Sequence, residues 1–221
     1  MRISRLLSLF VLCSGGGVFA VEVTGSVKVL QRSEDRGRVI VVYAEPSGEH
    51  EAPKPGHYDL KQERKTFIPH VLAVPVGSTV SFPNDDPIFH NVFSLTRPGP
   101  FDVGLYRAGD SKTRIFTKPA IYRVFCNIHP QMSALLLVLP TSFIAEANRN
   151  GAYRLDLPPG RYRLSAWSER SEQAATEDLS VESSPVSAPE LTLDESKFVE
   201  VLHKNKYGQE YPASAYEGGR R

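Results

Sequence analysis

The stretch YRVFCNIHPQMSALLLVL, residues 122–139, is the part of the sequence that indicates the fold most clearly. Residues 122–126 and the apolar run at residues 134–139 are each typical of a short strand. The loop between them places Cys126, His129 and Met132 three residues apart in succession. We therefore expect a tight strand connection that carries three metal-binding side chains.

The rest of the first 140 residues also consists mainly of segments with the residue pattern of short strands. The β-branched run at residues 39–43 predicts a strand buried on both faces. Residues 71–82 predict a bent strand or a hairpin, and the polar residues 45–65 predict a long loop. With 16 Gly and 17 Pro in the chain and no sustained helical periodicity, the pattern favours an all-β sandwich or barrel.

After residue 140 the hydrophobic pattern of the sequence changes. Residues 151–157 and 161–167 alternate on either side of a Pro-Pro-Gly turn and predict a hairpin. We therefore assign residues 21–140 to a first domain and residues 141–196 to a small second β module. Residues 197–221 form a polar tail, expected to be irregular and to pack back on a domain through three tyrosines, Tyr207, Tyr211 and Tyr216.

Charge and hydropathy exclude several classes of protein. The 221 residues contain 26 Lys and Arg against 25 Asp and Glu, so the basic excess typical of nucleic-acid binding is missing. No apolar run reaches the roughly 18 residues that a membrane span needs. No Ser-His-Asp arrangement or phosphate-binding loop stands out, and residues 141–196 contain no histidine at all, so we do not expect an enzyme.

The first twenty residues resemble a secretory signal. Arg2 and Arg5 precede the apolar residues 6–12, and Ala20 stands at a suitable cleavage position. An N-terminal helix of the fold and a lipid anchor at Cys13 are the alternatives. Cleavage predicts a periplasmic protein with one cysteine, Cys126, which would then be buried and inert, intermolecular, reactive or metal-bound.

A second imidazole is available upstream, at the start of a predicted strand. His90 lies 36 residues before Cys126. One thiolate, two imidazoles and a thioether suit copper in both oxidation states. The alternatives are a buried inert Cys126, a hydrogen-bonded core His90, and a core Met132 replaced as ligand by Gln131 or a carbonyl. The four other histidines are expected to lie on the surface or to form ordinary hydrogen bonds. Three of them could instead contact a second metal ion: His70, His50 and His57. The fourth, His203, lies in the tail.

These motifs resemble the cupredoxins, the blue copper proteins. The likeness lies in VSFPN (80–84), FHNVFS (89–94), FDVG (101–104) and CNIHPQM (126–132), and extends over roughly residues 22–140. The short Cys-x2-His-x2-Met loop is similar to that of amicyanin, and the wider pattern to periplasmic methylamine utilization-like proteins. More weakly, GAYRL and LPPGRY in the second module resemble a carboxypeptidase-regulatory or transthyretin-like β-sandwich.

The resemblance implies a Greek-key β-sandwich or barrel with one type 1 copper ion. His90, Cys126 and His129 would be the equatorial ligands and Met132 the weak axial one. Asn91 would tie the His90 strand to the cysteine loop by hydrogen bonds, and aromatic and aliphatic neighbours would form an apolar wall: Phe89, Phe93, Phe125 and Ile128.

The same resemblance implies transfer of single electrons to or from a periplasmic redox protein, such as a c-type cytochrome, a dehydrogenase or an oxidase. The carrier would be a monomer or a weak oligomer. Two alternatives stay open: a periplasmic copper-handling protein without an electron-transfer role, and a surface interaction protein in which copper is structural.

Overall fold

The computed structural model describes residues 20–30, 38–199 and 204–211. Within these ranges the protein is all-β, as the sequence predicts, and contains no helix. No helix in the described part is therefore long and apolar enough to cross a membrane. The predicted secretory signal lies outside the described residues, apart from Ala20.

Eighteen strands make up two modules. Ten of them, β3–β12, form the first module: β3 (His57–Asp59), β4 (Lys61–Glu63), β5 (Thr66–Ile68), β6 (Val71–Pro75), β7 (Thr79–Pro83), β8 (His90–Ser94), β9 (Phe101–Tyr106), β10 (Ser111–Ile115), β11 (Ala120–Phe125) and β12 (Ser133–Leu139). The others form the second module: β1 (Val21–Leu30), β2 (Ile40–Pro46), β13 (Ile144–Glu146), β14 (Ala152–Leu157), β15 (Gly160–Ser168), β16 (Ala175–Val181), β17 (Val186–Ser187) and β18 (Leu191–Asp194).

The first module packs a five-stranded sheet, in the order β6-β12-β11-β8-β9, against a three-stranded sheet, β10-β7-β3. Strand β12, which lies second in the larger sheet, is apolar from Ala134 to Leu139 because both of its faces are covered. Leu136 and Val138 enter the core between the sheets, whereas Leu135 and Leu137 face the second module. The apolar run at residues 134–139 is therefore a strand buried from two sides.

Two local predictions in this module need correction. Strands β6 and β7 do not form a hairpin, because β6 pairs with β12 in one sheet and β7 with β10 and β3 in the other. Gly77, with a φ of 89°, turns the chain between the sheets. The predicted long loop at residues 45–65 contains β3 and β4, whose polar side chains hide the strand pattern from the sequence.

Strand pairing also corrects the predicted boundary between the modules. Strand β1 pairs with β14, with Val21 opposite Leu157, and β2 pairs with β15, with Tyr43 opposite Ser165. The first two strands thus belong to the second module, and residues 57–139 are an insertion within it. Apolar alternation shows that a strand has a buried face, but it does not identify the sheet that covers this face.

The two strands around the Pro-Pro-Gly turn lie in opposite sheets instead of forming a hairpin. β14 is in the β14-β1-β17 sheet and β15 in the β13-β2-β15-β16 sheet. The Tyr162 hydroxyl donates to the Pro158 carbonyl over 2.7 Å and fixes this corner. The alternating apolar side chains of both strands do share one core: Tyr153, Leu155, Leu157, Tyr162, Leu164 and Ala166.

A shared apolar layer joins the modules. Val42 points into the core of the second module, while its neighbour Val41 packs against Leu137 of β12. This confirms the prediction that residues 39–43 form a strand buried on both faces. Beside this layer, His70 of the first module contacts Glu169 of the second, with Nε2 and Oε2 2.8 Å apart.

The His70–Glu169 pair predicts a pH window for stability. The hydrogen bond that His70 donates to Glu169 raises the pKa of His70 and lowers the pKa of Glu169. The raised pKa contributes stability below pH 6.5 that disappears as pH rises, and the lowered pKa contributes stability above pH 4.5 that disappears as pH falls. The contribution is therefore greatest between these values.

We expect Glu169→Gln to lower the Tm of the metal-free protein at pH 5.5 by at most about 4 °C, because the pair is partly exposed and worth less than about 1 kcal/mol. At pH 8.5 the variant and wild type should converge. Glu177→Gln, an exposed site on β16, is the control for the change in charge. Equal Tm differences at both pH values would contradict the assignment.

Candidate metal centre

The first module brings three predicted ligands to one end of its larger sheet. His90 begins β8, Cys126 directly follows β11, and the two strands pair through Phe93 and Phe125. The cysteine loop is closed by two backbone hydrogen bonds. The Cys126 N–H donates to the Met132 carbonyl over 3.2 Å, and the Met132 N–H donates to the His129 carbonyl over 2.9 Å. The loop conformation is thus set by the backbone itself.

The donor atoms of the three side chains form a small triangle. His90 Nδ1 and His129 Nδ1 are 3.1 Å apart, and Cys126 Sγ lies 3.8 Å and 3.7 Å from them, respectively. A point equidistant from three such atoms lies about 2.1 Å from each, within the range of metal–nitrogen and metal–sulfur bonds. The three residues therefore fit one metal ion without rearrangement.

Protonation in the metal-free state does not prevent binding. Burial raises the pKa of the Cys126 thiol, so a metal ion must displace its proton. Burial, followed by the nearby His90, lowers the pKa of His129 to about 4. His129 is consequently neutral at physiological pH, with a lone pair available for a metal.

Asp86 orients the buried His90. Its Oδ2 lies 2.7 Å from His90 Nε2, which leaves Nδ1 of the ring as the atom that faces the site. Although burial alone would raise the pKa of Asp86, hydrogen bonds from the Lys65 amide, His90 and the Arg64 amide hold it below its usual value. The carboxylate is therefore charged and accepts the Nε2 proton.

The turn between β4 and β5 supplies those two amides. Arg64 and Lys65 both have a φ of 55°, and their N–H groups donate to the Asp86 carboxylate over 2.5 Å and 2.8 Å. This left-handed conformation is unfavourable for both side chains. The role of Asp86 was not predicted from the sequence, where its position four residues before His90 is the one available signal.

Asn91 makes the contacts expected of it. Its Oδ1 accepts the Asn127 N–H over 3.2 Å and links β8 to the cysteine loop. Its Nδ2 donates to Asp102 over 2.6 Å and to the Gly104 carbonyl over 3.2 Å. These contacts lie at an irregularity in the β8–β9 pairing, between Asn91 and Phe93. Bulges of this kind commonly occur beside functional sites because they redirect a side chain.

Met132 ends the loop and is fully buried in the same core cluster as Cys126. Its axial role stays a prediction.

The other histidines do not join the centre. His70 contacts Glu169, and His50 lies 2.8 Å from the Gly48 carbonyl. His57 is exposed at the start of β3, and His203 lies outside the described residues. Within the described ranges, the only cluster of three or more His, Cys, Asp or Glu donors is His90, Cys126 and His129.

The predicted apolar wall is only half correct. Phe93 is buried and its ring lies 5.8 Å from that of Phe125. Phe89 and Ile128, however, are 53% and 47% exposed. Each directly precedes a histidine of the centre in the sequence, and both side chains are exposed instead of buried.

Asp86→Asn is expected to weaken metal binding ten- to 100-fold, roughly the cost of losing a carboxylate behind a ligating histidine. The amide cannot accept the His90 proton and both backbone N–H groups as the carboxylate does. Copper affinity measured by competition with a chelator tests this. Asp110→Asn, on a partly exposed pair with Arg107, is the control. Equal affinities of the two variants would contradict the role of Asp86.

Comparisons with known proteins give partial likenesses. No family model matches the sequence, and no curated protein matches it. Among solved structures, the chain is similar to a purple cupredoxin from Nitrosopumilus maritimus, with 26% identity over 37% of this chain and 96% of that one, at a TM-score of 0.33. A reduced amicyanin variant gives 20% identity, 44% and 99% coverage, and a TM-score of 0.36.

A copper-containing nitrite reductase from Thermus scotoductus SA-01 is also similar. It shares 24% identity over 51% of this chain, at a TM-score of 0.36, and the match covers 28% of the reductase.

Proposed function

We propose that this protein binds one copper ion at a type 1 site and transfers single electrons to or from a redox partner in the periplasm. The observation that supports this most is the triangle of His90 Nδ1, His129 Nδ1 and Cys126 Sγ, closed to within 3.8 Å on every side. Two imidazoles, one thiolate and a weak axial methionine are the donors of blue copper electron-transfer sites. Met132 supplies the axial thioether in this proposal.

Bound copper supplies a one-electron couple, Cu(II)/Cu(I). The protein's part is to keep the donors in place in both states. Asp86 holds His90, Asn91 holds the cysteine loop, and the backbone of residues 126–132 is hydrogen-bonded to itself. Because such contacts fix the ligands, little reorganisation accompanies a change of oxidation state, which favours rapid electron transfer.

The surface above the centre suits a brief encounter with a partner. His129 is only half-buried, and exposed Phe89 and Ile128 stand next to the ligands in the chain. Small apolar contacts of this kind suit weak and transient redox complexes. We propose a periplasmic redox protein, such as a c-type cytochrome, dehydrogenase or oxidase, as the partner and a monomer or weak oligomer as the carrier.

A copper-handling protein is the alternative that shares the same ligands. A carrier that delivers copper needs a site that opens, whereas here His90, Cys126 and Met132 are completely buried. Burial of three of the four proposed ligands favours retention of the metal and electron transfer. For the same reason we propose that the site performs no substrate chemistry.

The test is the optical and EPR spectrum of the chain from residue 21 onward with one equivalent of Cu(II). We expect an intense visible thiolate-to-copper band and a narrow copper hyperfine splitting, and reversible one-electron reduction. The spectrum of ordinary tetragonal copper, or the absence of stoichiometric binding, would exclude the electron carrier. Rapid transfer of Cu(I) to a chelator from a site without reversible reduction would favour copper handling.

A further inference from the structure

The described tail segment, residues 204–211, folds into a compact turn. The Asn205 N–H donates to the Gln209 carbonyl and the Gly208 N–H to the Asn205 carbonyl, both over 2.9 Å. The Asn205 side chain accepts the N–H groups of Tyr207 and Gln209. The turn therefore has a defined shape of its own.

This turn follows the second module in sequence but contacts the first module at the cysteine loop. The Lys206 N–H donates to Asn127 Oδ1 over 3.0 Å, and the Tyr211 hydroxyl donates to the Cys126 carbonyl over 3.3 Å. Both acceptors belong to the loop that carries the proposed ligands. The tail thus binds backbone and side-chain atoms at the start of the Cys126–Met132 loop.

The side chain of Lys206 is also linked to the cysteine loop, through Asp102 and Asn91. Lys206 Nζ lies 2.8 Å from Asp102 Oδ2, while the other oxygen of Asp102 accepts the Asn91 amide. Asn91 in turn accepts the Asn127 N–H. Although burial alone would raise the pKa of Asp102, Lys206, Gly104 and Asn91 together lower it. Lys206, Asp102, Asn91 and Asn127 form a closed ring of hydrogen bonds at the start of the cysteine loop.

We propose that residues 204–211 are a clamp on the metal centre, with Lys206 and Tyr211 as positioning residues for the cysteine loop. The clamp restrains Asn127 and the Cys126 carbonyl, so it limits opening of the loop and slows escape of the metal. The effect on the metal rests on the proposed copper function. The effect on the loop does not, because the contacts exist without a metal.

The experiment compares wild type with the double variant Lys206→Ala, Tyr211→Phe. In the metal-free protein, we expect hydrogen exchange of the Asn127 amide to be about tenfold faster in the variant, since its acceptor Asn91 is no longer braced. In the copper-loaded protein, we expect copper removal by a chelator to be about three- to tenfold faster. Lys206→Arg with Tyr211 intact should restore wild-type behaviour in both measurements.

Lys112→Ala is the matched control, because it removes one exposed lysine from β10 of the same module. Asn127 exchange in the double variant that equals wild type and this control would overturn the clamp, whether or not copper binds. Faster exchange in a protein that fails to bind copper would support the clamp and reject the proposed function. The two failures are thereby distinguished.

Discussion

Replacing Cys126 by Ala is expected to abolish the visible charge-transfer band completely. The band requires a thiolate bound to copper, and Cys126 is the one free cysteine of the described chain. Loss of a contact behind a ligand weakens metal binding about ten- to 100-fold, so loss of the ligand itself should cost at least about 100-fold. The measurement is a copper titration followed by absorbance and EPR.

The thermal stability of the same variant gives a second readout. Copper at about 1,000 times its Kd should stabilise the wild type by about 4 kcal/mol, because it binds only the folded state. The Ala variant should lose most of this increase in Tm. Val124→Ala is the control, since it shortens a completely buried side chain on the adjoining strand β11 without removing a donor. A visible band that survives in Cys126→Ala would refute the site.

Glu195→Gln is expected to destabilise the second module by about 3–5 kcal/mol, the usual cost of breaking a buried ion pair by removing one of its two charges. Glu195 and Arg38 form a bidentate pair with distances of 2.8–3.1 Å, and the two side chains are 0% and 6% exposed. The Ser168 hydroxyl donates to the same carboxylate over 2.9 Å. The pair joins the beginning of β2 to the ends of β15 and β18.

Urea unfolding followed by tryptophan fluorescence tests this prediction. The chain has a single tryptophan, Trp167, which lies on β15 next to Ser168 and therefore reports on the second module. Glu172→Gln, on an exposed pair with Lys197, should cost less than about 1 kcal/mol. The double variant Arg38→Met, Glu195→Leu should recover much of the loss, because apolar replacement removes both charges. Similar midpoints for Glu195→Gln and Glu172→Gln would contradict the argument.

The centre was accessible from the sequence because its chemistry is local. Cys126, His129 and Met132 follow one another at a fixed spacing, and His90 begins a recognisable strand. The structure brings His90, Cys126 and His129 together as expected. The supporting residues were less visible, because Asp86 and Lys206 are common surface types whose role depends on contacts across the fold.

The positions of many strands could be predicted from the sequence, but the pairing of these strands in the sheets could not. The alternation of apolar and polar residues predicts the buried faces of β14 and β15 correctly. The Pro-Pro-Gly turn between them, however, predicts a hairpin that the structure does not form. The same alternation is expected for a hairpin and for a corner between two sheets, because each strand buries one face in both arrangements. For β1, the partner lies far along the chain at residues 152–157, and no local signal specifies such a pairing.

The nested arrangement of the two modules has a consequence for the order of folding. During synthesis β1 and β2 emerge first, but their neighbours β14 and β15 follow only after the whole of residues 57–139. The inserted module is continuous and can complete its sheets while these two strands still expose unpaired edges, which invite association with other chains. Because such non-local pairing forms slowly, we expect closure of the second module to be the slow step. The Thr141 hydroxyl, which donates to the Ala44 carbonyl over 2.7 Å, then joins the two ends of the insertion.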